Sequence, residues 1–208
     1  SNLDAKLRAS MRTELIKLHR KLNTTTIHVT HDQVEAMTMG ERICILHQGK
    51  LIQLGTPLDI YNNPVNTFVA GFLGSPPMNL FDTKILVKNN YLNFQISNNS
   101  ISLPNKKFRS LIKNNESELV FGIRPEDLYI EKISKNMIDF EVYVLAVESL
   151  GSEAILVANF GDGQEIYVKV DRNYQAAYKD KIRIYFDYNK IKFFDKNSTE
   201  SIKISLTI

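Results

Sequence analysis

Several familiar sequence features are missing from this chain of 208 residues. No apolar run approaches the length of about 20 residues that a membrane-spanning helix needs, so we expect any membrane association to depend on a partner. The single cysteine, Cys44, has no second thiol with which to form an internal disulfide, which fits a reducing compartment. Cys44 lies in an apolar run at residues 43–46, and we predict that it is a small core residue.

Motifs for nucleotide phosphates and metals are missing as well. The chain has no G-x-x-x-x-G-K-[ST] loop, whose backbone amides cradle phosphates. The four histidines and one cysteine do not have zinc-site spacing, so we predict no metal site. Net charge is +2 over residues 1–75 and +1 over residues 76–208, so neither part is a cationic block that would follow a nucleic-acid backbone.

The first 75 residues mix helical and strand-like patterns. A leucine-rich stripe predicts a helix from about Leu3 to Leu22, capped by Ser1 or Asn2. Residues 24–30 are β-branched and predict a buried strand, and residues 31–39 return to helical character. The stripe consists of Leu3, Leu7, Met11, Leu15, Leu18 and Leu22.

A hairpin and two short helices are predicted next. Residues 42–46 and 50–54 are apolar runs separated by a short turn that ends in Gly49, which predicts a hairpin. Thr56 followed by Pro57 is typical of a helix start, with Thr56 as the cap. Residues 66–72 predict another helix, and we expect it to pack through Phe68, Val69 and Phe72.

A Gly-Ser-Pro-Pro segment at residues 74–77 is the strongest predicted boundary, because consecutive prolines do not continue a helix. Beyond it the chain shows short alternating runs separated by turn residues and no long helical pattern, which predicts an all-β barrel or sandwich. The asparagine-rich residues 96–100 and 113–116 are predicted to be loops. The predicted strands are residues 83–87, 91–96, 100–103, 119–123, 139–148, 153–158, 165–170, 181–186, 191–194 and 202–208.

His31 is the first candidate functional residue. It follows a predicted buried strand and opens a helix, which places it at the carboxyl edge of a sheet, where α/β proteins bind ligands. An imidazole there can hydrogen-bond a terminal phosphate, although an isolated histidine is more often a surface or capping residue. His28, two residues earlier, is predicted to be structural.

The residues around His31 resemble a known family. Thr30-His31-Asp32-Gln33-Val34-Glu35-Ala36-Met37 as one string is highly characteristic of importer-type ATP-binding cassette (ABC) ATPases. The resemblance implies that His31 is the switch histidine that senses the γ-phosphate. Ser1-Asn2-Leu3-Asp4-Ala5 resembles the D-loop of that family at the expected spacing, so Ser1, Asn2, Leu3 and Asp4 are implied to lie at the nucleotide, with Asp4 signalling across a dimer.

The second half resembles the regulatory domain of carbohydrate importer ATPases, an oligomer-binding (OB) type barrel known as TOBE. The resemblance is carried by Phe-Gly-Ile-Arg-Pro-Glu-Asp-Leu at residues 121–128, by Val-Glu-Ser-Leu-Gly-Ser-Glu at residues 147–153, and by the linker at residues 71–79. It implies an α/β remnant of an ABC nucleotide-binding domain over residues 1–75, followed by an all-β OB-type barrel over residues 76–208.

The resemblance also implies a function for the longer parent protein. ATP and Mg²⁺ would bind between two copies, hydrolysis would drive carbohydrate or related solute uptake through two permease subunits, and regulatory proteins would bind the barrel. The subunit would be cytoplasmic and peripheral on the inner face of the membrane. The catalytic glutamate, the phosphate loop, the Q-loop and the signature sequence of the family are not in this chain, so we expect it to be a fragment that neither binds ATP tightly nor hydrolyses it alone.

Two further hypotheses remain open at this point. The barrel could be a free-standing regulatory or small-ligand-binding module, with residues 1–75 as a scaffold. It could also bind nucleic acid, as similar barrels do, but its near-neutral charge argues against this. Six aromatic residues could stack bases or sugar rings, but such residues are more often core or edge residues of strands. They are Phe108, Tyr129, Tyr143, Tyr167, Tyr174 and Tyr178.

Arg124 and Glu126 allow two interpretations. The pair could face a ligand or a partner subunit, or it could belong to a turn around Pro125 in which both charges are solvated or salt-bridged.

Overall fold

The computed structural model describes residues 5–88, 91–97, 99–104, 116–135 and 137–203. The chain forms two compact units, residues 1–64 and residues 65–208. The division falls before the Gly-Ser-Pro-Pro segment that marks the predicted boundary, because the short helix ahead of that segment packs with the β-rich unit.

The first unit contains the predicted helices and hairpin. Helix α1 ends where Asn23 adopts a φ of 47° and donates its amide to the carbonyl of His19 at 3.0 Å. Gln48 and Gly49 both have positive φ, as a two-residue hairpin turn requires. Thr56 caps α3 by accepting the Asp59 amide at 3.3 Å. The elements are α1 (Ala5–Leu22), α2 (Gln33–Met39), β1 (Ile43–His47), β2 (Lys50–Gly55) and α3 (Pro57–Asn62).

Residues 24–30 do not form the predicted buried strand. They have no strand assignment, and Ile27 and Val29 are 89% and 90% exposed. A strand exists only where a neighbouring strand accepts and donates its backbone hydrogen bonds, and no described strand pairs with this segment. The β-branched composition was therefore an insufficient basis for the prediction.

Two other sequence expectations for this unit are corrected by burial. Cys44 is exposed because side chains alternate along β1, where Ile43 and Ile45 point to the buried side. The leucine stripe of α1 is regular, but the members that can be described are 41–55% exposed. The pattern predicted the helix correctly and did not by itself ensure its burial.

The second unit is a mostly β structure of two antiparallel sheets. One sheet has the strand order β13-β12-β6-β3-β4-β5 and the other β10-β9-β8-β11-β7. The nine predicted internal strands all form, with β3 longer than predicted and the short β7 not foreseen. The strands are β3 (Asn79–Lys88), β4 (Tyr91–Ile96), β5 (Asn99–Pro104), β6 (Glu116–Ile123), β7 (Leu128–Tyr129), β8 (Met137–Ser149), β9 (Ala154–Asn159), β10 (Glu165–Val170), β11 (Lys181–Asp187), β12 (Lys192–Asp195) and β13 (Ser201–Ile202).

Phenylalanines occupy the centre of the core between these sheets. Phe121 on β6 is fully buried, and its ring lies 5.6 Å from that of Phe94 and 5.8 Å from that of Phe186, measured between centroids. Phe94 belongs to the same sheet as Phe121, and Phe186 belongs to the other. Aromatic pairs at this separation add to the free energy of area burial, so Phe121 joins the inner faces of both sheets.

Two side-chain amides also join the sheets. Asn79 on β3 donates to the carbonyl of Tyr167 at 2.9 Å and accepts its amide at 2.8 Å. Asn99 makes the same pair of bonds with the backbone of Glu141, at 3.2 and 3.1 Å. Each side-chain amide thereby makes the pair of backbone hydrogen bonds that a neighbouring strand would otherwise make. Asn99 was expected in a loop but begins β5.

Helix α4 (Thr67–Phe72) is capped by Asn66, which accepts the Val69 amide at 3.0 Å. The buried side of α4 is formed by Val69, as predicted, together with Ala70 and Leu73. Of the two predicted phenylalanines, Phe68 is half-buried and Phe72 is exposed. The two phenylalanines stack on each other outside this face, with centroids 5.7 Å apart. They are four residues apart, so they share a helix face, but it is not the packed one.

Gly122 on β6 lies where the chain has no room for a side chain. A Cβ there would stand 2.9 Å from the sulfur of Met78 and 2.9 Å from a ring carbon of Phe194. We expect Gly122→Ala to lower the free energy of unfolding by about 1–3 kcal/mol through overpacking, measured by urea denaturation. Gly71→Ala in α4 is the matched control, because its Cβ would meet only Leu80 at 3.8 Å. Equal stability of the two variants would contradict the prediction.

Candidate functional site

The turn before α2 presents His31. Asp32 is the helix cap, and its carboxylate accepts the Val34 amide at 2.7 Å. The Asp32 amide donates to the hydroxyl of Thr30 at 2.9 Å. The residues on both sides of His31 are thus held by hydrogen bonds, while His31 itself is exposed.

Glu35 ties this turn to the first helical turn of α2. The Thr30 hydroxyl donates to a Glu35 carboxylate oxygen at 2.6 Å, and the Nε2 atom of His28 lies 3.4 Å from the same oxygen. The hydrogen bond from Thr30 is the main cause that holds the pKa of Glu35 below its usual value. His28, predicted to be structural, contacts this carboxylate.

Sequence reasoning singled out His31 but assigned no role to Thr30 or Glu35. A threonine two residues before Asp32 is a signal for a turn in which the hydroxyl accepts a backbone amide. A glutamate three residues after a capping Asp32 is the capping-box spacing. These local patterns could have indicated the network before the structure was known.

The other residues of the predicted nucleotide site, Ser1, Asn2, Leu3 and Asp4, lie outside the described residues. Of the predicted set, only His31 is therefore placed by the structure. Within the described ranges, no group of three or more His, Cys, Asp or Glu could hold a metal ion. The described residues do not by themselves fit ATP or Mg²⁺, because one exposed imidazole is not a phosphate cradle.

Arg124 begins a turn around Pro125, as one of the two interpretations expected, but it is buried rather than solvated. It is 5% exposed, and its guanidinium donates to the carbonyl of Ala70 at 3.2 Å and to that of Leu73. These carbonyls belong to the last turn and C-cap of α4, where carbonyl groups have no hydrogen-bond donor within the helix. A cation at this position donates hydrogen bonds to them and interacts favourably with the negative end of the helix dipole. Arg124 is thus a structural clamp between β6 and α4.

The short 3₁₀ helix Pro125–Asp127 follows Arg124 directly. Burial raises the pKa of Asp127 above its usual value, although Lys190 lies 3.7 Å away and opposes the shift. Burial likewise lowers the pKa of Lys192. Desolvation disfavours the charged form of either group.

Among the helices of the described residues, none is long and apolar enough to cross a membrane.

Comparisons with known proteins identify the relatives of this chain. The model of the family described as the MalK OB fold domain matches residues 74–128. The oligosaccharides import ATP-binding protein MsmX of Bacillus subtilis is 41% identical over 211 residues, which cover 98% of this chain and 56% of the relative. The trehalose/maltose import ATP-binding protein MalK of Thermococcus litoralis is 43% identical over 208 residues, covering 97% of this chain and 55% of the relative.

This chain is related to the ATP-binding proteins of sugar importers. A further relative is the uncharacterized ABC transporter ATP-binding protein YurJ of Bacillus subtilis, which is 39% identical over 206 residues, covering 97% of this chain and 56% of the relative. The chain spans 55–56% of the length of these curated relatives. The cytoplasmic molybdate-binding protein ModG is a structural neighbour at 11% identity, with a TM-score of 0.43 over 55% of this chain and 94% of its own.

Proposed function

We propose that this chain is part of the ATP-binding subunit of an ABC importer that takes up a carbohydrate or a related solute. Residues 1–75 would be the C-terminal part of the nucleotide-binding domain, an α/β remnant, and residues 76–208 the regulatory OB-type barrel. The observation that carries the proposal is the exposed His31 on a turn held by Thr30 and Asp32. It is supported by identity of 41% to MsmX and 43% to MalK over nearly the whole chain.

In the parent protein, His31 would contact the γ-phosphate of ATP, and Asp4 would couple two copies across their interface. Thr30 and Glu35 support this role because they hold the backbone around His31 without occupying its imidazole. ATP and Mg²⁺ would come to a site completed by segments that this chain does not contain. The parent would be cytoplasmic and bound to the inner face of the membrane through its permease subunits, with the barrel as a surface for regulatory proteins.

The test uses the full-length ATP-binding subunit assembled with its permease subunits. We expect His31→Ala to lower ATP turnover by on the order of a hundredfold, the usual loss when a contact to the reacting group is removed, while nucleotide affinity changes little. His19→Ala is the matched control, because this histidine lies on α1 and not in the turn that presents His31. Unchanged turnover in His31→Ala would refute the role of His31.

A second measurement concerns the 208 residues alone. We expect the purified chain to show no ATP turnover above background in a phosphate-release assay, since one imidazole does not bind a triphosphate. Turnover that persists through repurification and in His31→Ala would overturn this expectation.

A further inference from the structure

A cleft of about 560 Å³ opens in the β-rich unit. It lies where the end of β8 and the start of β9 meet the connection from β10 to β11. We call it the 172–176 cleft, because residues 172–176 of that connection line it. This volume falls within the range of about 300–1,000 Å³ typical of small-molecule sites. The cleft is open to solvent, since Ser149, Arg172, Asn173 and Gln175 are exposed. The function proposed above does not use this cleft.

The connection that forms one wall is held in place by its backbone. The Tyr174 amide donates to the carbonyl of Asp171 at 2.9 Å. Further along, the Lys179 amide donates to the carbonyl of Val144 at 2.8 Å, and the Val144 amide donates to that of Asp180 at 2.9 Å. A wall tied to β8 in this way exists before a ligand arrives, which reduces the ordering cost of binding.

The walls combine apolar and polar groups. Val147, Ala154 and Ala176 provide apolar surface, and Val147 and Ala176 also pack against the core. Ser149 and Gln175 add a hydroxyl and an amide, which donate and accept hydrogen bonds. An apolar surface edged by hydroxyl and amide groups suits a ring that carries hydroxyls.

The 172–176 cleft also carries a positive charge. Among the described residues that line it, Arg172 is the only charged one, and it forms no ion pair within the described ranges. Arg183, by contrast, lies 3.2 Å from Asp139. No carboxylate of the described residues lines the cleft, so the guanidinium can donate two parallel hydrogen bonds to the oxygens of an anionic group such as a phosphate or carboxylate.

Nearby carboxylates are already engaged. Glu153, which precedes Ala154, lies 3.3 Å from the ammonium of Lys169. Asp180 accepts the Ala177 amide at 2.7 Å. Asp171, which precedes Arg172, accepts the Asn173 amide at 2.8 Å. Within the described ranges none of these three carboxylates forms an ion pair with Arg172, so its guanidinium remains available to a ligand.

We propose that the 172–176 cleft binds a hydroxylated ring compound with one anionic group, a monosaccharide phosphate being the representative ligand. Arg172 binds the anionic group, and the hydroxyl and amide groups bind the ring. Tyr174 also lines the cleft, and its phenol can donate a further hydrogen bond.

The experiment titrates the purified 208-residue chain by calorimetry with glucose 6-phosphate, glucose and inorganic phosphate separately. We expect saturable binding of glucose 6-phosphate and at least tenfold weaker binding of the other two probes. Arg172→Gln is expected to weaken glucose 6-phosphate binding about tenfold or more, the loss of a charge-assisted hydrogen bond. Ala176→Trp, which fills the cleft, should abolish it.

Lys179→Gln is the matched control, since this exposed cation lies in the same connection but does not line the cleft. It should bind glucose 6-phosphate as the unmodified chain does. The proposal is overturned if no probe binds saturably, if inorganic phosphate binds as tightly as glucose 6-phosphate, or if both Arg172→Gln and Ala176→Trp leave binding unchanged. ATP turnover plays no part in this readout, so its outcome is independent of the proposed importer function.

Discussion

Replacement of Asn79 by alanine is expected to destabilise the β-rich unit by about 2–5 kcal/mol. Asn79 is 5% exposed, and its amide satisfies both the N–H and the carbonyl of Tyr167. Alanine removes two hydrogen bonds and leaves two backbone groups of β10 without a partner. Each such group costs roughly 1–3 kcal/mol when it is buried. The free energy of unfolding, measured by urea denaturation followed by circular dichroism, checks this prediction.

Asn197→Ala serves as the control for Asn79→Ala. Asn197 is exposed, and its backbone amide donates to the Asp195 carboxylate at 3.0 Å. We expect its variant to stay within about 0.5 kcal/mol of the unmodified chain, as surface substitutions usually do. If Asn79→Ala were no less stable than Asn197→Ala, the amide bridge between the sheets would not be a stabilising feature.

Arg124→Met is expected to cost about 2–4 kcal/mol, because the buried carbonyls of Ala70 and Leu73 lose their donor. Methionine keeps much of the volume, so the effect reports the guanidinium rather than a cavity. Both hydrogen bonds come from Nη1. The ammonium of Arg124→Lys carries three donors, so this variant should recover part of the loss. The same unfolding measurement applies.

A second arginine variant separates burial from charge. Arg183→Met removes a guanidinium that is 59% exposed and paired with Asp139. Exposed ion pairs contribute little, so we expect its denaturation midpoint to match that of the unmodified chain. An equal loss in Arg124→Met and Arg183→Met would mean that the removal of charge, and not the clamp on α4, explains the effect.

Local patterns in the sequence predicted most of the secondary structure. The hairpin turn at Gln48 and Gly49 and the cap at Thr56 depend on neighbouring residues alone, and both are present. The alternating runs beyond residue 79 predicted nearly every strand of the mostly β unit. Such patterns reflect the side-chain period of the backbone, which does not require knowledge of distant partners.

Pairing between distant segments was not predictable in the same way. Residues 24–30 have strand composition, yet without a described neighbour they are exposed, because a ladder needs two strands. The packing face of α4 was only partly predicted, since Val69 is buried as expected but Phe72 is exposed and Ala70 packs against the β-rich unit instead. Hydrophobicity alone does not determine which face of a six-residue helix is buried.

The candidate site shows the same distinction. His31 was found from its sequence context, and its local supports Thr30, Asp32 and Glu35 lie within four residues of it. The role of Arg124 and the 172–176 cleft depended on residues that are far apart in the chain. Arg124 meets carbonyls 51 and 54 residues away.

The sequence by itself determined the turns, the caps, the strand pattern of the β-rich unit and the histidine turn, because each depends on residues within one or two turns of backbone. Only the tertiary structure decided which apolar faces are buried, how Asn79 and Asn99 join the sheets, and why Arg124 is buried. Those outcomes depend on which hydrogen-bond partners and which apolar surfaces meet in space. Burial is a property of the packed chain, so a single segment does not specify it.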